Sequence, residues 1–197
     1  MRSGELLNLL KETGAIMDGH FLLTSGRHSN VYIEKFRVLE KPAALNEVCR
    51  EMAEIVKNQN IELVLGAAVG GILIAGGVGR HLGKKHIFAE RIDGKMELRR
   101  GFSIKSRERI MIVEDIITTG GSVFELIDLA EELSAEIVHV VNLVDRSQDR
   151  VDFGYPSTAL LNLPSESYKS DDCPLCKQGL PLTERGRTGK TMETEIV

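Results

Sequence analysis

Two adjacent carboxylates, Glu114 and Asp115, stand where an apolar, β-branched run gives way to hydroxyls and glycines, in IMIVEDIITTGGS at 110–122. The run before the acids has the character of a strand buried on both faces. Thr118, Thr119, Gly120, Gly121 and Ser122 follow, and then an amphipathic helix begins. Val123, Leu126, Ile127, Ala130 and Leu133 lie on its apolar face, with Glu125, Asp128, Glu131 and Glu132 opposite. A strand, a glycine-hydroxyl turn and a helix N-terminus form an anion cradle, because free backbone N–H groups and the positive end of the helix dipole point into the turn. The expected ligand carries a phosphate at one end and a polyol or a divalent cation beside it. Most acids are merely hydrated, but two neighbours at the end of a buried strand repel each other unless a cation or polyol intervenes. A helix N-cap requires one hydroxyl, and this turn has three with two glycines. The Gly-x₄-Gly-Lys-Ser/Thr string of nucleotide-binding P-loops is absent. Gly189-Lys190-Thr191 mimics its end, but Glu184 occupies the position of the first glycine and no apolar helix follows.

Other candidates are weaker alone. Ala67–Gly71, AAVGG, follows a strand and permits close backbone approach to a ligand, although a plain tight turn explains it nearly as well. Asp145-Arg146 closes a buried strand; Arg146 either sits in a local salt bridge or offers its planar fork to a carboxylate or carbonyl. Arg91, Lys95, Arg99 and Arg100 surround Asp93-Gly94, which reads equally as a solvated hairpin or as a cationic lid over a polyphosphate. Cys173-Pro-Leu-Cys176 has metal-ligand spacing but only two ligands, and no second Cys/His pair is close in the chain. Free thiols are the expectation, with a redox pair or a zinc shared across a dimer as lesser readings. His139, inside an apolar strand, reads as a satisfied core residue.

The elements that must position these groups follow from periodicity. A short helix is expected over 4–11, an extended excursion over 19–36, and a helix from Pro42 to about Asn58. From Ile61 short apolar runs alternate with helices, which predicts an α/β fold with a doubly wound, mainly parallel sheet. Ligands of such sheets bind beyond the carboxyl ends of the strands, where Ala67–Gly71, Glu114–Ser122 and Asp145-Arg146 all fall. The 197 residues fit one domain, with a small N-terminal hood over 1–40 and a polar tail from about 180 to 197. A net charge of −4 argues against a general nucleic-acid binder, and no apolar run reaches the length of a membrane span. The N-terminus lacks the apolar centre of a signal peptide, so a cytoplasmic protein is expected.

The string VEDIITTGGS at 113–122 resembles the 5-phosphoribosyl 1-pyrophosphate (PRPP) motif of type I phosphoribosyltransferases. GHFLLTSGRHSNVYIEK near the N-terminus, RIDGKMELRRGF and VDR at 144–146 are similar to the orotate-using branch of that family, and the resemblance runs from about residue 5 to 180. It implies transfer of phosphoribose from PRPP to orotate with Mg²⁺, in pyrimidine biosynthesis, by a homodimer that shares its lid between subunits. Glu114 and Asp115 would hold the ribose hydroxyls and stabilise positive charge at the sugar. Residues Ile116, Ile117, Thr118, Thr119, Gly120, Gly121 and Ser122 would complete the PRPP site, with the 5′-phosphate on 118–122. Ala67–Gly71 would be the pyrophosphate loop, and Arg91 and Lys95 would be catalytic cations of the lid. Thr118 and Arg146 would contact orotate, beneath a hood formed partly by residues 24–29. Mg²⁺ would be held mainly by PRPP and water rather than directly by the protein.

The chain departs from the family pattern in three places. Val69-Gly70-Gly71 stands where many members have a loop lysine, Thr24 where many have a lysine before the SGR turn, and the lid is poorer in lysine and lacks histidine. Pyrophosphate contacts are therefore expected from Arg91, Lys95, Arg99, Arg100 or metal. A purine-type phosphoribosyltransferase and a non-catalytic PRPP-sensing regulator are the alternatives.

Overall fold

The computed structural model describes residues 3–23, 25–164 and 166–184. Their elements in chain order are α1 (Ser3–Glu12), β1 (Ile16–Leu22), β2 (His28–Ile33), α2 (Phe36–Leu39), α3 (Pro42–Val56), β3 (Leu63–Ala67), α4 (Gly70–Leu82), β4 (Lys85–Ile92) and β5 (Lys95–Leu98). Then come β6 (Arg109–Ile117), α5 (Gly121–Glu132), β7 (Glu136–Asp145), β8 (Ser157–Asn162), β9 (Ser167–Tyr168), a 3₁₀ turn (Ser170–Asp172), α6 (Pro174–Lys177) and β10 (Thr183–Glu184).

The chain separates into two compact units. The larger, residues 1–15 and 34–164, holds a six-stranded sheet in the order β5-β4-β3-β6-β7-β8. All neighbours are parallel except β4 and β5, so the expected doubly wound, mainly parallel sheet is present. From β3 the chain crosses through α4 to β4 on one side; from β6 it crosses through α5 to β7 on the other. Right-handed crossovers in opposite directions place α4 and α5 on opposite faces. Alternation along β3 agrees: Leu63, Leu65 and Ala67 pack with Val123, Leu126 and Ile127 of α5. Gly66 faces Gly71 and Ala75 of α4. The small-residue run of α4 is explained by its neighbours, since a Cβ on Gly77 would lie 2.4 Å from Cys49 Sγ of α3.

The Asp93-Gly94 hairpin forms as read: Ile92 pairs with Lys95, and both turn residues have positive φ, 48° and 87°, as a type I′ turn requires. β8 was not foreseen. STALLN is a short edge strand after a proline, too brief for its alternation to stand out. His139 is a satisfied core residue as expected. It is buried, with Nδ1 3.2 Å from Gln59 Oε1 and Nε2 2.9 Å from Thr158 Oγ1, and burial holds its pKa below the ordinary histidine value.

The described residues of the smaller unit lie in 16–33 and 166–184, so the expected 1–40 hood divides: 3–15 and 34–40 belong with the large sheet. In the smaller unit β10-β1-β2-β9 form a second sheet. Gly189-Lys190-Thr191 and most of the 180–197 tail lie outside the described residues, as does Thr24.

Candidate active site

Strand order reverses direction between β3 and β6, which is the topological switch point where open α/β sheets bind ligands. Glu114 and Asp115 end their buried stretch of β6 there, 6% and 2% exposed. The Asp115 N–H donates to Glu114 Oε1 at 2.8 Å, and the Ile116 N–H donates to Asp115 Oδ1 at 2.6 Å. Two acids are thus held in fixed positions by their own backbone.

Burial, and then the neighbouring Asp115 charge, push the Glu114 pKa up to about 8, with Lys35 opposing. In the folded chain Glu114 therefore binds its proton through neutral pH, whereas the unfolded chain releases it near the ordinary carboxyl value of 4.5. The folded state binds more protons between those values, so unfolding free energy falls as pH rises from about 4.5 to about 8. The expected change is on the order of a few kcal/mol. Denaturant titrations of the ligand-free protein at pH 5 and pH 8 should show this slope, and Glu114→Gln should flatten it. An unchanged slope in the variant would place the linkage on another group.

Lys35, which sequence reasoning missed, supplies the counter-charge to Asp115. Its Nζ lies 2.6 Å from Asp115 Oδ2, a charge contact without hydrogen-bond geometry. It sits just after β2 and before α2, far from β6 in the chain, and no local pattern marks it.

After β6, Thr118, Thr119 and Gly121 are exposed, and Gly120 turns the chain with φ 80°. No side chain caps α5, so the hydroxyls are not consumed by capping. The first amides of α5 stay available to an anion. A second uncapped N-terminus, that of α4, follows β3, the neighbour of β6. A Cβ on Gly70 would lie only 1.7 Å from Asp115 Oδ2, so the Ala67–Gly71 turn and the carboxylates share one crevice.

The other expected residues are placed less directly. Arg146 is half-buried after β7, and its N–H donates to Ile117 O at 2.8 Å, which ties it to the end of β6. Asp145 accepts from the Ser147 N–H and hydroxyl at 2.8 and 2.6 Å, which makes a turn of the chain after β7. Arg91 makes a two-pronged pair with Glu125 of α5, at 3.1 and 2.7 Å. Arg100 pairs with Glu90 and Arg99 with Glu97. Lys95 is exposed beside the hairpin turn and makes no ion pair among the described residues. Ser25, Gly26, Arg27, His28 and Ser29 lie in the smaller unit, where Arg27 Nε donates to Ser167 Oγ at 2.7 Å and Ser29 Oγ to Glu166 O at 3.1 Å.

Residues 37–169 match the family described as phosphoribosyl transferase domain. The chain belongs to the phosphoribosyltransferase family. Orotate phosphoribosyltransferase of Caldicellulosiruptor saccharolyticus is 45% identical over 94% of this chain and 97% of its own length. That of Thermotoga maritima is 45% identical over 92% and 97%. Among solved structures, orotate phosphoribosyltransferase of Aeropyrum pernix has a TM-score of 0.68 and 25% identity, over 80% of this chain and 93% of that one. Adenine phosphoribosyltransferase of Rhodothermus marinus reaches 0.66 at 20% identity over 81% and 99%, a likeness of fold alone. The family resemblance on VEDIITTGGS holds, and within the family it is sequence similarity, rather than backbone shape, that separates the relatives by base.

One pairing was misjudged from the sequence. Cys173 and Cys176 do have a Cys/His partner pair: His20 and His28 of the smaller unit adjoin them, brought there by the fold rather than by chain proximity.

Proposed function

We infer that this chain transfers the phosphoribosyl group of PRPP to orotate, giving orotidine 5′-monophosphate and pyrophosphate on the route to UMP. The observation that carries the reading is the meeting, in one switch-point crevice, of two buried carboxylates with uncapped helix N-termini. Relatives that are 45% identical over nearly the whole chain and named for orotate supply the base.

On this reading the amides and hydroxyls of 118–122 bind the 5′-phosphate, and Glu114 and Asp115 face the ribose. Breaking the C–O bond to pyrophosphate leaves an oxocarbenium-like sugar, and the fixed Asp115 carboxylate, with the Glu114 carboxyl hydrogen-bonding the ribose, stabilises that charge more than the ground state. Lys35 balances Asp115 before the sugar arrives. The Ala67–Gly71 amides receive pyrophosphate, and Arg146 presents a cation to the orotate carboxylate.

The carboxylate pair also fits a nearby Mg²⁺, since both residues are hard oxygen donors and Glu114 holds its charge only at a cost in this burial. When bound, Mg²⁺ would supply charge neutralisation to the pyrophosphate leaving group. Arg91, Arg99 and Arg100 belong to a cationic lid; their ion pairs face solvent and are weakly held, so a polyphosphate can displace the carboxylates. The protein acts as a cytoplasmic homodimer in which Lys95 reaches the neighbouring subunit's site.

PRPP-dependent loss of orotate absorbance with Mg²⁺ tests the reaction. Turnover with adenine or hypoxanthine in place of orotate would change the base, and PRPP binding without pyrophosphate release would make the chain a sensor. Lys95→Ala should lower turnover at least about tenfold, the scale of losing one charge-assisted contact in the transition state. Mixed with Asp115→Asn chains, it should regain activity through heterodimers carrying one intact site. No recovery after confirmed subunit exchange would mean that the lid serves its own subunit.

A further inference from the structure

In the smaller unit, His20 on β1, His28 on β2, and Cys173 and Cys176 flanking the start of α6 converge. One ligand atom from each lies within 4.8 Å of all the others. His20 Nε2 is 2.9 Å from His28 Nδ1, 3.6 Å from Cys173 Sγ and 3.7 Å from Cys176 Sγ; Cys176 Sγ is 3.3 Å from His28 Nδ1. Zinc–nitrogen bonds of about 2.05 Å and zinc–sulfur bonds of about 2.3 Å at tetrahedral angles require edges of about 3.3 to 3.8 Å. These three sulfur–nitrogen edges match that range, and the nitrogen–nitrogen edge is shorter by about 0.4 Å, a shift within reach of a ring rotation.

Two further observations point to a metal rather than to chance proximity. The first is the tautomer of His20. Its Nδ1 lies 2.9 Å from the Leu180 carbonyl, which only accepts, so Nδ1 carries the proton and Nε2 turns a lone pair toward the cluster. This is the outer hydrogen bond by which metal-binding histidines are oriented. The second is the poverty of the unit's core. Among its described residues the buried apolar side chains are Ile16, Phe21, Ile33 and Cys173, while His20 and His28 are 3% and 4% exposed. Small units with so little apolar core need a disulfide or metal to hold them, and the cysteines are free.

We propose that His20, His28, Cys173 and Cys176 of a single chain bind a structural Zn²⁺ that clips the β1–β2 hairpin to the Cys173–Cys176 segment. Four protein ligands close the coordination sphere and leave no position for substrate, so the ion serves folding rather than chemistry. Two thiolates with two imidazoles favour zinc over Mg²⁺ or Ca²⁺, which take oxygen. The site lies within one chain, unlike the shared zinc considered from sequence, and it is independent of the phosphoribosyl chemistry.

The test is metal analysis of the full-length chain, produced with zinc in the medium and purified without a histidine tag or chelator. One zinc per chain is expected, with loss of that zinc in His28→Ala and in Cys176→Ser. Because a ligand variant can unfold the unit, Co²⁺ substitution into the unaltered chain is the second readout. Tetrahedral d–d bands with a thiolate charge-transfer band are expected, and stripping the metal should lower the melting temperature. Metal-free protein after purification, or cobalt bound without thiolate bands, would overturn the proposal. So would full zinc retained by both ligand variants.

Discussion

Asp115→Asn should lower turnover with PRPP and orotate by about 10²- to 10³-fold, the scale seen when a fixed electrostatic group is removed from a developing charge. The fold should tolerate the change. Asparagine keeps the shape and can still accept the Ile116 N–H bond now made at 2.6 Å by Oδ1. What it loses is the negative charge, 2.6 Å from Lys35 and buried at the end of β6. The effect should fall on kcat more than on KM for PRPP, because neutral hydrogen-bonding capacity toward a ribose hydroxyl persists while stabilisation of the cationic sugar does not. Steady-state kinetics together with a thermal melt separate the two. Near-normal kcat would remove Asp115 from the mechanism, and a collapsed melt would make its role structural.

Gly70→Ala should be nearly as damaging to turnover, although it adds one methyl group outside the acid pair. The new Cβ would sit 1.7 Å from Asp115 Oδ2 and 2.9 Å from its Cγ, distances no non-bonded pair can keep. Either α4 retreats or the carboxylate swings away from Lys35, and both outcomes open the crevice. Overpacking of this kind costs about 1–3 kcal/mol of stability. The mechanism makes a sharper forecast through coupling. In the double variant Gly70→Ala with Asp115→Ala the clash disappears, so its stability should exceed the sum of the single effects. Simple additivity in denaturant melts would show that Gly70 and Asp115 do not compete for the same space. Activity should stay lost in the double variant, since the carboxylate is gone.

The zinc proposal and these two forecasts concern different units. Metal content can therefore be read on a chain whose phosphoribosyl chemistry is disabled.

Much of the site was legible because its parts are local. The strand, acids, hydroxyl turn and helix of 110–132 are contiguous, and each is set by short-range rules of periodicity and turn chemistry. The alternation of β and α runs likewise predicted the parallel sheet, and with it the edge where ligands bind. By themselves the residues determined an anion cradle beside two carboxylates, and their resemblance to a known motif supplied PRPP.

Tertiary structure decided what lies beside those groups. Lys35 reaches Asp115 only through the packing of the larger unit, and no periodic pattern records a single long-range charge pair. Arg91 read equally as part of a solvated hairpin or as a lid cation, and helix α5 brings Glu125 to it. The Cys173–Cys176 pair read as thiols without partners because ligand spacing was sought along the chain. His20 and Cys173 are 153 positions apart and meet only when β1 and β2 fold against the C-terminal segment. Periodicity encodes which face a residue presents; which distant face it meets is a property of the packed chain.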